Sequence, residues 1–78
     1  MMSEPASTVD TVTVDARGMR CPWPALRLAR AMRAASVVRL LADDPQAGRE
    51  VAALARDHGW RVDPAPADAG TGWDVRRD

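Results

Sequence analysis

An α/β chain of order βαβαββ is predicted by three features: valine-rich and leucine-rich runs at 8–15 and 37–42, amphipathic helix patterns at 23–35 and 45–58, and alternating segments at 60–63 and 73–76. Helices that join strands in right-handed crossovers cover one face of a four-stranded mixed sheet, an α+β arrangement. With 78 residues the chain is one small domain, of a size that buries only about 60% of its unfolded surface. Residues 1–7 read as a disordered N-terminal arm and 8–78 as the domain, with no internal repeat and no linker.

The first strand is expected from Thr8 to Asp15, where Val12 and Val14 share a face, and it ends near Gly18, a turn residue. From Trp23 to Ala35 a helical step puts Ala25, Leu28, Ala29, Met32 and Ala35 on one side, with Arg27, Arg30 and Arg33 opposite. Leu28 and Met32 therefore belong to the core. Val37 to Ala42 is an apolar run interrupted only by Arg39, which fits a covered strand. Asp43-Asp44-Pro45 opens the second helix, with Asp44 as N-cap and Pro45 at the first helical position. Ala47, Val51, Leu54, Ala55 and His58 line its apolar face, and Gly59 stops it in the left-handed conformation. Trp60-Arg61-Val62-Asp63 and Trp73-Asp74-Val75-Arg76 form a terminal hairpin, whose prolines 64 and 66 place a strand at the sheet edge.

Between the first strand and the first helix stands the only cysteine, in Cys21-Pro22-Trp23-Pro24. Pro22 lacks an amide hydrogen and has a helix-compatible φ, so Cys21 is expected at the N-cap, facing unpaired amides. Such a position lowers a thiol pKa below about 8.5 and favours the nucleophilic thiolate. Arg17 and Arg20 flank Gly18 and either add positive charge near the sulfur or lie in solvent. The plain alternative is a small buried apolar cysteine.

Composition excludes several chemistries. One cysteine makes no internal disulfide, and neither a CxxC pair nor a Cys/His cluster is present to hold a metal or run thioredoxin-like exchange; Pro24 occupies the resolving position. The absence of lysine removes Schiff-base catalysis. Eleven basic and eleven acidic residues leave zero net charge, which argues against direct nucleic-acid binding. The N-terminal residues carry no leader pattern and no run reaches membrane-spanning length, so a cytoplasmic protein without a membrane partner and without a cofactor is expected.

Asp15-x-x-Gly18-x-x-Cys21-Pro22-x-Pro24, followed by Asp43-Asp44-Pro45 and a helix ending at Gly59, resembles the TusA/SirA-like sulfur-carrier (sulfurtransferase) family over roughly residues 9 to 64. The resemblance implies a two-layer βαβαββ sandwich like the C-terminal domain of translation initiation factor three. It also implies a cysteine that accepts a persulfide sulfur and passes it on, a chemistry that falls on Cys21, with Gly18, Pro22 and Pro24 as motif and cap support. The implied partners are a cysteine desulfurase or other persulfide donor and a downstream acceptor protein. Implied destinations are tRNA thiolation, molybdenum cofactor sulfur supply and sulfur oxidation. Two departures stand out: His58 precedes Gly59 where family members often place a histidine after the glycine, and Ala35-Ser36 replaces a usual glycine before strand two.

A lone thiol suits a carrier independently, because no second thiol is present to capture the sulfane atom as an internal disulfide. Trp23 and Leu26 turn away from the Leu28/Met32 face and, with Arg17, Arg20, Arg27 and Arg30, are candidates for partner docking; the arginines are equally read as a solvated face. Asp44 is read as the capping residue, so Asp43 and Asp44 are not an acid–base pair, and His58 is read as structural. A second hypothesis is a regulatory or adaptor domain that docks through Trp23/Leu26 and never turns over sulfur. A third, a minor RNA contact, rests on fold analogy alone and is disfavoured by the charge balance.

Overall fold

Strands β1 (Val12–Asp15) and β2 (Val37–Leu41) pair in parallel, which requires the crossover supplied by helix α1 (Trp23–Met32). Helix α2 (Ala47–His58) leads to β3 (Arg61–Pro64), which returns as β4 (Gly72–Arg76) through a loop holding a short 3₁₀ turn, Ala67–Ala69. The sheet order is β1-β2-β4-β3, with β4 antiparallel to both neighbours. These relations come from a computed structural model describing residues 11–77. The expected arm at 1–7 and the start of the expected first strand at Thr8 lie outside the described residues.

Register explains the two faces. Val12, Val38, Val75 and Val62 form one row across the sheet, and Val14, Leu40, Trp73 and Pro64 the next of the same parity. Both rows lie on the helix-covered side, where Val38, Leu40 and Val75 are fully buried. The intervening row, Thr13, Arg39, Asp74 and Asp63, lies on the opposite face. There Arg39 and Asp74 are directly opposite across β2 and β4, and they meet in a two-point ion pair at 2.7 and 3.0 Å. Four strands with two helices on one face therefore make the predicted two-layer α+β sandwich.

Leu28 and Met32 are buried as the helical period predicts, and Ala47, Val51 and Ala55 bring α2 onto the same core. Gly59 takes φ +74° and Trp60 N–H closes the helix on the Ala55 carbonyl at 2.9 Å. His58 is a correction: it lies exposed, outside the apolar face, with its ring stacked on Trp60 at 4.5 Å. Pro64 lies in edge strand β3, as its missing amide hydrogen requires.

Candidate functional site: the Cys21 loop

Because β1 and β2 are parallel, the loops that follow them emerge at the same end of the sheet. The loop after β1 begins with Ala16 N–H bonded to the Leu41 carbonyl at 2.8 Å and turns through Gly18 at φ +85°, a conformation that favours glycine. Two carboxylates from the loop after β2 then hold it. Asp43 accepts the Gly18 N–H at 2.9 Å, and Asp44 accepts the Cys21 N–H in a short hydrogen bond through Oδ2.

Asp44 also accepts the Gln46 N–H at 2.9 Å through Oδ1, while its carbonyl accepts the Ala47 N–H. The expected cap is a correction: the helix starts at Ala47 with Gln46 as its cap residue and no side-chain cap bond, and Asp44 instead holds the Pro45-Gln46 turn that precedes it. Its second oxygen does something the capping reading did not contain. It ties the start of α2 to the backbone of the cysteine. The parallel pairing of β1 and β2 is the signal for this contact, since it brings residues after β1 beside residues after β2.

The cap of α1 differs from expectation. Pro22, not Cys21, is the cap residue, with Trp23 and Pro24 as the first two helical positions, and the Pro22 carbonyl accepts the Leu26 N–H at 3.1 Å. Pro22 has φ −97° and ψ 12°, and the Cys21–Pro22 peptide is cis. Cys21 therefore stands one residue outside the helix end, its own N–H engaged by Asp44. Pro24 is fully buried beneath the first turn.

Thiol acidity is the main correction. Partial burial pushes the Cys21 thiol above its ordinary value, and the negative charges of Glu50 and Asp44 push the same way. Arg17 does not counter this, because its guanidinium is engaged by Asp15 at 2.8 and 2.9 Å. Arg20 lies beside Asp44 and lowers that carboxyl's pKa behind the hydrogen bonds from Gln46 and Cys21. Glu50, one helical turn beyond Gln46, has no counterpart in the sequence reading. Nothing in its own neighbourhood marks it, since its relation to Cys21 spans 29 positions.

The docking candidates separate into two sides. Trp23 is 60% and Leu26 51% exposed, whereas Leu28 two positions on is fully buried. Arg27 and Arg30 border a basic cavity of about 360 Å³ with Val14 and Ala31, toward β1. Leu26 lies on the other flank of α1, in a groove against α2 that includes Pro22 and Glu50. The single patch expected from the helix pattern is therefore divided by α1. Among the described residues no cluster of histidine, cysteine or carboxylate side chains is arranged to hold a metal, and no helix is long and apolar enough to cross a membrane.

A family model described as Sulfurtransferase TusA matches residues 12–75, from the first residue of β1 to the core valine of β4. The chain belongs to the TusA sulfurtransferase family. Membership assigns it a general role as a sulfur carrier that works between partner proteins. No curated protein matches the chain.

Proposed function

We propose that this TusA-family chain is a sulfur-relay protein in which Cys21 carries the transferred atom. The observation that supports this best is the placement of the sole thiol in a loop held by Asp43 and Asp44, next to Pro22, which lines the α1/α2 groove. In the forward step the Cys21 thiolate attacks the outer sulfur of a donor persulfide such as that of a cysteine desulfurase. The donor S–S bond breaks, its electron pair stays on the inner sulfur, and the donor leaves as a thiol after taking up a proton. Cys21 then bears the persulfide, and in the second step an acceptor thiolate attacks the outer sulfur, breaking the S–S bond and releasing Cys21 as the thiolate. No net oxidant is needed in the loading step. Gly18, Pro22 and Pro24 shape the loop, and Trp23, Leu26, Arg17, Arg20, Arg27 and Arg30 are the docking residues of this reading. Transfer of labelled sulfur from a desulfurase to the chain, and its loss in Cys21→Ser, tests it.

A second reading, an adaptor that docks through Trp23 and Leu26 without turning over sulfur, is supported by the exposure of those two side chains. It predicts partner binding that survives Cys21→Ser.

A further inference from the structure

The groove between α1 and α2 combines features that single it out among the cavities. Its volume is about 230 Å³; Pro22, Ala25, Leu26 and Leu54 give it apolar walls, while Glu50 and Asp57 place two carboxylates along its α2 side. No arginine contributes to its lining, in contrast to the cavity on the other flank of α1, where Arg27 and Arg30 take part. Neither carboxylate is engaged in a salt bridge among the described residues, whose ion pairs join Arg17 to Asp15 and Arg39 to Asp74. Glu50 belongs to both settings: it lines the groove together with Pro22, the residue next to Cys21, and its negative charge acts on the Cys21 thiol.

Resting on the sulfur-relay reading above, we infer that this groove seats the persulfide-bearing segment of the donor protein, a segment with an apolar side chain and a lysine or arginine beside its cysteine. The apolar side chain lies on Ala25, Leu26 and Leu54, and the cation lies between Glu50 and Asp57. Charge complementarity argues for this occupant. An anionic segment would place like charge against two carboxylates, one of which, Glu50, acts on the Cys21 sulfur, and this costs association and approach alike. A cation from the donor also offsets the Glu50 charge that keeps the Cys21 proton in place, so seating and activation coincide. Loading then proceeds as written above, with the Cys21 proton ending on the departing donor thiol.

The test is disulfide exchange between the full chain and three N-acetylated, C-amidated tripeptide disulfides: Leu-Cys-Lys, Leu-Cys-Glu and Gly-Cys-Lys. Each rate is divided by that of 2-mercaptoethanol with the same disulfide, which removes differences in the leaving thiol. The normalised rate with Leu-Cys-Lys is expected to exceed that with Leu-Cys-Glu by about tenfold. It is expected to exceed that with Gly-Cys-Lys by about threefold through apolar contact. The double variant Glu50→Gln/Asp57→Asn brings the Lys-to-Glu ratio near one. Asp57→Asn alone, at an exposed position of α2, reduces it and serves if the double variant fails to fold. A ratio near one in the unaltered chain, or one unmoved by the variants, overturns the inference. The assay involves no persulfide. A chain that prefers the lysine disulfide but gains no sulfur contradicts the relay reading alone, and a chain that gains sulfur without that preference contradicts the groove alone.

Discussion

Asp44 and Cys21, 23 positions apart, are joined by a hydrogen bond from the cysteine N–H to the aspartate Oδ2. The same carboxylate accepts the Gln46 N–H, so one side chain sets both the entry to α2 and the backbone of the thiol loop. Asp44→Ala removes both acceptors. Loss of carboxylate-to-amide bonds at a helix entry costs about 0.5–2 kcal/mol, to be read from the urea midpoint at unchanged slope. The variant is also expected to alkylate faster at neutral pH, because a negative charge near the sulfur is gone. A variant as stable as the parent would show that the loop is held by other contacts.

Cys21 is expected to titrate above the free-thiol value of about 8.5, since burial and the carboxylates of Glu50 and Asp44 all favour the protonated form. The pH dependence of iodoacetamide alkylation reads this directly. Glu50→Gln moves the inflection downward. An inflection below the free value would mean that the end of α1 governs the thiol after all.

Leu28→Ala is expected to destabilise the domain by about 2–5 kcal/mol, as for a fully buried leucine. Trp23→Ala, at a 60% exposed position, is expected to change stability by about 0.5 kcal/mol or less. Thermal or urea unfolding of the two variants side by side decides the assignment of the α1 faces. Equal losses would place Trp23 in the core.

Local periodicity carried most of this fold into the sequence. The Leu28/Met32 stripe, the Val38/Leu40 strand and Gly59 each announce themselves within a few residues, because helix and strand periods are local properties. The site was legible only in part. Cys21, Gly18 and the proline pair stand out as a motif, yet the acidity of the thiol does not follow from it, because the carboxylates that oppose the helix end come near only through tertiary pairing. Glu50 and the second oxygen of Asp44 reach Cys21 from the neighbouring element, and no periodic pattern records such a contact. The cap slipped by one position because Pro22 supplies the carbonyl that accepts the Leu26 N–H. His58 shares the helical phase of Val51 and Ala55, but at the last turn it extends beyond the core and stacks on Trp60 instead.

Acid is expected to weaken the fold through three carboxylates. Hydrogen bonds from the Arg17 side chain hold Asp15 down at about 2. Asp44 is lowered by the Gln46 and Cys21 amides, and Asp74 by Arg39. A carboxylate whose folded pKa is depressed contributes stability above its unfolded value, and that contribution is lost as pH falls through the folded value. For Asp15 the window runs from 3.8 down to about 2. Urea midpoints are expected to hold steady above that window and fall within it, with Asp74→Asn flattening part of the decline. A midpoint that rises on acidification would contradict these assignments.

The central claim, that Cys21 carries the sulfur, is tested most directly by intact mass after incubation with a cysteine desulfurase and cysteine. The account predicts a single adduct of about 32 Da, removed by dithiothreitol and absent from Cys21→Ser, while that variant keeps the parent's circular dichroism. An unmodified mass with donors that load another carrier in parallel, or an adduct that persists in Cys21→Ser, would contradict it.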